Sequence, residues 1–248
     1  MISSSALRIG ILEFKLYLRE PSAFFFTLIF PLLLMMLFGS IWGNDPFPGE
    51  TFGYIDFSTA SFIGIVILTT GVMNLTINIS SYRDKGILRR FRATPISSLT
   101  FLMAESGALL VISIMGVILL LAAGFLVFGL QFRCVPLEFL AAFLLSSVAL
   151  LGLGFIPASV SPSARSGSVI ANSLFFPMLF LSGGAIPRQM LPSFLRAVSE
   201  VFPLTHAIRL MRNVWLGEHI GQNPVEVGVL VLTIATGAVF AARLFRWD

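Results

Sequence analysis

One cysteine, two histidines and a charged fraction of only 11% are the scarcities of this 248-residue chain. Cys134 alone cannot close a disulfide within the chain or build a multi-cysteine metal or iron–sulfur site, though it says little about the redox compartment. His206 and His219 lack H-E-x-x-H spacing and read as interfacial polar residues, so no metal site is expected. No G-x-x-x-x-G-K-[ST] loop is present, so the chain cannot cradle ATP phosphates in the usual way. Neither G-x-S-x-G nor S-x-x-K appears, and no residue is assigned a catalytic role.

What is abundant is apolar: 56% of the residues, with a mean hydropathy of +0.94, far outside the range of soluble domains. The chain reads as an all-α polytopic membrane protein, organised as a single transmembrane domain over residues 1–248. Uncharged apolar runs at 23–42, 57–79, 107–130, 139–160, 168–186 and 227–242 are each long enough for a membrane-crossing helix. The first is too long for a signal-peptide core, so it is expected to remain in the mature protein. Pro31, Pro157 and Pro177 are expected to kink their spans, and Gly152 and Gly154 to let helices approach closely. Residues 187–226 form a long, Pro-punctuated, partly apolar connection, expected to dip back towards the membrane as short re-entrant helices.

The net charge of +4 and the pI near 9.8 do not point to nucleic acid, because the basic residues gather beside the spans. One side collects 11 of the 16 Lys and Arg residues: Arg8, Lys15, Arg19, Arg83, Lys85, Arg89, Arg90, Arg92, Arg165, Arg243 and Arg246. The other holds 5, namely Arg133, Arg188, Arg196, Arg209 and Arg212. The positive-inside rule therefore predicts a multi-pass membrane protein with both termini cytoplasmic and basic loops near anionic lipid. Leu7, Ile11, Phe14 and Leu18 share a helical stripe beside Arg8, Lys15 and Arg19, which predicts either an interfacial helix or an extension of the first span.

Within the spans, Thr70, Asn74, Asn78 and Ser81 fall on one stripe at the 3.6-residue period, and Ser168 and Asn172 pair at four-residue spacing. Such residues must face protein or water. They either line a substrate path or hold the bundle together through interhelical hydrogen bonds. Acidic, basic and His residues are missing from the central parts of the six runs, where a proton- or ion-driven carrier ordinarily places them.

The stretch "SYRDKGILRRFRATPIS" at 81–97 interrupts the apolar pattern. Ile87, Leu88 and Phe91 occupy one helical arc and Arg89, Arg90 and Arg92 the remainder, while Pro95 after Thr94 stops the helix. A short amphipathic helix on the basic side follows, fit to lie on anionic lipid or to dock in a partner.

Residues 82–95, "YRDKGILRRFRATP", resemble the cytoplasmic loop of the ABC-2 type transporter permeases, an acidic, Gly-containing segment followed by a short helix and Thr-Pro. Residues 180–218, "FLSGGAIPRQMLPSFLRAVSEVFPLTHAIRLMRNVWLGE", are similar to that family's fifth span running into two short external helices, with Ser182, Gly183, Pro187, Pro192, Pro203, Leu204 and Arg212 matching its pattern. Likeness is greatest to the drug-resistance-type members. Arg89 and Arg90 stand where many relatives carry an acidic residue.

The resemblance implies that Asp84, Gly86, Ile87, Leu88, Arg89, Arg90, Phe91, Arg92, Thr94 and Pro95 form a coupling element seated in an ATP-binding subunit. It implies that Gly183, Pro187, Pro203 and Arg212 belong to an external gate, and that Thr70, Asn74, Asn78, Ser168 and Asn172 are candidates for the path. It further implies a dimer of permeases above two ATP-binding subunits, with ATP and Mg held by the latter and no cofactor on this chain. An amphipathic drug- or lipid-like substrate is expected, with a polysaccharide or lipid-linked glycan as the alternative. A secondary carrier and a membrane scaffold are the readings of other classes.

Overall fold

The structure is a computed structural model that describes residues 10–12, 14–17, 19–46, 48, 51–92 and 98–244. Among these residues the regular elements are all helical. Six helices are long and apolar enough to cross a membrane: Phe25–Trp42, Tyr54–Asp84, Thr100–Phe128, Pro136–Val160, Ala164–Leu181 and Pro224–Arg243, here spans 1 to 6. Helices satisfy their own backbone hydrogen bonds, which lipid cannot do for them.

Three boundaries depart from the hydropathy reading, each for a local reason. Span 2 is 31 residues, not 57–79, and at about 45 Å it outreaches a hydrocarbon core of about 30 Å. Its last turn is polar and is held by other helices. Span 3 belongs to a helix that begins at Ser98, well before 107, because Glu105 is buried against a partner and does not end it. Span 5 stops at Leu181, not at 186, since Gly183 turns the chain at φ 87°.

Span 2 is the axle of the bundle. Its most apolar stretch is 89% buried, against 22–56% for the other five, so it touches neighbours on nearly every side while they keep a free face. Close approach comes from small residues: a Cβ on Gly154 would lie 1.9 Å from the Gly71 carbonyl oxygen, and one on Gly237 2.2 Å from that of Gly152. Spans 1 and 2 each contain one π-helical turn, at Phe25–Ile29 and Thr69–Asn74.

The connection between spans 5 and 6 is ordered and tightly packed. Helix Ser193–Ser199 leads into Pro203–Trp215, where Pro203 supplies a helix-compatible φ at the first position. Leu204, Ala207, Ile208, Leu210, Met211, Val214 and Trp215 from the second helix are all buried. Trp215 is wedged edge-on against Phe132 and Phe139 at 5.0 and 5.1 Å. At the opposite end a second apolar cluster joins Tyr17, Ala23, Leu75, Ile79, Leu88, Phe101 and Leu102. We call that end basic and the end carrying Pro203–Trp215 the far end.

Candidate functional site

At the basic end span 2 runs to Asp84, and Gly86 at φ 66° turns the chain into the short helix Ile87–Arg92. No atom lies within 4 Å of a Cβ built on Gly86, so glycine is needed there for backbone conformation alone. Leu88 is fully buried in the bundle's own cluster, Ile87 and Gly86 are half-buried, and Arg89 is exposed. Leu88 therefore seats the helix on the bundle, and a partner would meet other residues. The side chains of Arg90, Phe91 and Arg92, and both Thr94 and Pro95, lie outside the described residues, as do Leu7, Arg8 and Leu18 of the N-terminal stripe.

Asp84 is exposed, and its Oδ2 accepts from the Ala164 backbone N–H at 3.3 Å, at the start of span 5. Its neighbour Arg83, which sequence reasoning counted only as a topological charge, is buried. Nη1 donates to the carbonyl of Ala158 at 2.9 Å and to that of Ser161, at the end of span 4. Tyr17, from the N-terminal helical residues, donates to the Ala23 carbonyl at 2.8 Å, and burial pushes its phenol up to about 12.

The polar residues of span 2 meet spans 1 and 3. Thr70 Oγ1 lies 2.7 Å from Ser113 Oγ, Asn74 Nδ2 donates to Thr27 Oγ1 at 3.1 Å, and Asn78 Nδ2 donates to Glu105 Oε1 at 2.8 Å. Thr27 and Asn74 sit in the two π-helical turns, which this hydrogen bond ties together. Glu105, only 1% exposed, is a second residue the sequence reading missed. The signal was a lone carboxyl inside an otherwise uncharged helix of 31 residues, a costly placement that ordinarily has a use. Ser168 and Asn172 are elsewhere, half-exposed on span 5 and joined to each other at 3.4 Å. Among the described residues no hydrogen bond links them to Thr70, Asn74 or Asn78.

At the far end Gly183, Pro187 and Arg212 come together around a cavity of about 10 Å³, with Tyr54, Phe57, Ser58 and Ser61 among the other residues of its wall. That is about the space of one water. Pro203 is not in this wall; it opens the helix that carries Arg212. The Arg212 guanidinium donates to the Phe57 carbonyl at 3.1 Å and to Ser61 Oγ at 2.9 Å, and lies 4.1 Å above the Phe57 ring. Among the described residues no carboxylate lies within 4.0 Å of it. Burial, then the nearby Arg209 and Arg188, push its pKa down to about 10, which leaves it cationic at neutral pH. Beside it Glu200 binds Arg188 and Arg209, and Arg209 reaches on to Glu226 at 3.0 Å. Burial raises the Glu200 pKa, but the two guanidinium partners outweigh it and hold the carboxyl below its ordinary value.

Five apolar helices around a sixth, largely buried one define a multi-pass membrane protein. Residues 9–216 match the ABC-2 type transporter family, and the chain belongs to it. It is similar to Nodulation protein J of Rhizobium leguminosarum bv. viciae, 29% identical over 41% of this chain and 39% of that protein. It is also similar to ycf38 of Cyanophora paradoxa, named as a transport permease, at 26% identity over 78% of this chain and 68% of the relative. A third relative is the multidrug ABC transporter permease YbhR of Escherichia coli (strain K12), so named and 22% identical over 73% of this chain and 50% of its own length. The match to Nodulation protein J thus spans well under half of that relative.

Proposed function

We propose that the chain is the membrane permease of an ATP-binding cassette exporter, working as a dimer above two ATP-binding subunits that hold ATP and Mg. The basic end faces the cytoplasm of a prokaryote, in line with the positive-inside rule. The observation that carries this reading is the helix Ile87–Arg92. It stands at the end of the axial span on a glycine turn, held by Leu88 with Arg89 exposed, in a chain of the ABC-2 type transporter family.

ATP-driven closure of the partner subunits pushes on this helix and reorients the two bundles. An amphipathic drug- or lipid-like substrate is thereby carried outwards. The half-exposed pair Ser168 and Asn172 is the better placed of the candidate path residues to meet it. Thr70, Asn74 and Asn78 already have partners within the bundle, which supports a binding-together role for them. Arg212, Gly183 and Pro187 close the outer end.

The test is to purify the full chain with whatever ATP-binding subunit accompanies it, reconstitute both in liposomes, and measure ATP turnover and export. Amphipathic cationic dyes, phospholipids and lipid-linked glycans serve as candidate cargo. Stimulation by dye or phospholipid with vectorial movement supports the reading. Stimulation by the glycan alone replaces the substrate class, and transport without an ATP-binding subunit overturns the mechanism.

A further inference from the structure

Two adjacent residues at the end of span 2 contact both sides of the turn between spans 4 and 5. A helix leaves its last four carbonyls and its first four N–H groups without intrahelical partners, and its dipole makes the carbonyl end negative and the N–H end positive. Span 4 ends at Val160 and span 5 begins at Ala164. The Arg83 guanidinium donates to the carbonyls of Ala158, in the last turn of span 4, and of Ser161. The Asp84 carboxylate accepts the N–H of Ala164, the first residue of span 5. The cation is thus on the negative helix end and the anion on the positive one. The reverse order of these two charges would be repelled at both ends.

The two residues lie at the foot of the coupling helix. The Gly86 N–H donates to the Arg83 carbonyl at 3.0 Å, so Lys85 and Gly86 alone separate Asp84 from Ile87. Spans 2 and 5 are also in close contact just above, where a Cβ on Gly167 would fall 2.4 Å from Ser80 Oγ. A displacement of the coupling helix therefore has a short, hydrogen-bonded route to span 5, which carries Ser168 and Asn172.

We propose that Arg83 and Asp84 are positioning residues: they clamp the span 4–5 turn to the coupling helix, so that the push from the ATP-binding subunit reaches span 5 as well as span 2. This rests on the coupling-helix reading above. The clamp makes the span 4–5 turn a second lever at the basic end, although it carries no docking helix of its own.

The experiment places spin labels at Lys85→Cys and Arg165→Cys in a full-length Cys134→Ser background, in vesicles of phosphatidylethanolamine and phosphatidylglycerol, and reads their separation by pulsed electron resonance. Without nucleotide, the clamped protein gives a narrow short-distance component from the two labels of one protomer, beside the longer distances between protomers. Arg83→Met broadens that component, and Arg83→Lys largely restores it because an ammonium still donates to carbonyls. With the ATP-binding subunit bound, Arg83→Met keeps ATP hydrolysis but loses about tenfold in export per ATP, the scale expected when hydrogen bonds to a charged group are removed. If Arg83→Met does not yield folded protein, Asp84→Ala replaces it, since Asp84 is exposed; the same broadening and a smaller coupling loss are expected. An unchanged distribution in these variants overturns the clamp, and so does a broadened one with undiminished export per ATP. If no ATP-binding subunit associates with the unaltered protein, the exporter reading fails, while the nucleotide-free distances still decide the clamp.

Discussion

The two ends of the bundle use arginine in opposite ways. At the far end the guanidinium groups of Arg133, Arg188, Arg209 and Arg212 are turned inwards onto side chains and carbonyls of neighbouring segments. At the basic end Arg83 is likewise spent on backbone carbonyls, but Lys85, Arg89 and Arg165 stay exposed beside a short helix rooted by Leu88. One end is knitted together and the other presents a charged surface. Charge count distinguishes the two ends by number, whereas charge pairing distinguishes them by how much of that charge is already engaged within the bundle.

The most severe test of this contrast is Arg212→Leu, which leaves the Phe57 carbonyl and Ser61 without their donor and removes the cation from the Phe57 ring. A loss of about 3 kcal/mol is expected, seen as a lower unfolding temperature of the detergent-solubilised protein. Arg89→Gln, at an exposed position, should stay within about 0.5 kcal/mol of the unaltered protein. Equal effects at the two sites would erase the distinction between the ends.

Next in size is Arg89→Glu, at the exposed position beside Leu88, which should leave insertion and stability intact and weaken retention of the ATP-binding subunit. Reversing one charge at such an interface is expected to cost about 2 kcal/mol, or roughly thirtyfold in affinity, measured by pull-down at graded subunit concentrations. Full retention with full export would remove the coupling assignment.

Smaller still is Asn74→Leu, which cuts the link between the two π-helical turns. An interhelical bond of this kind contributes about 0.6 kcal/mol, so a slight fall in stability with unchanged export is expected if it only binds the bundle. A selective loss of export at unchanged stability would place Asn74 on the path.

The mildest effect is the pH response of the far end. Because guanidinium partners hold the Glu200 carboxyl below its ordinary value of 4.5, its contribution is fully present above about pH 4.5 and is lost as pH falls through the folded value. Unfolding temperatures of the unaltered protein and of Glu200→Gln should differ at pH 7 and converge under acid. A difference that does not shrink at any acid pH would mean that the carboxylate is not what stabilises this end.

Hydropathy alone settled the all-helical class, the six spans and the uneven distribution of Lys and Arg, because burying apolar surface and satisfying the backbone in lipid are requirements written residue by residue. The motif at 82–95 and the segment 180–218 were legible too, since each is a short local pattern in the chain. What only the tertiary structure decided are the partners. Leu88 is turned into the bundle, Glu105 meets Asn78, Arg83 reaches the end of span 4, and Arg212 meets Phe57 and Ser61 from the opposite side of the sequence. Hydropathy treats a charge as something that ends a span. Whether that charge may instead be buried depends on a complementary atom brought to it from 27 to 155 residues away, and that distance in sequence is closed only by folding.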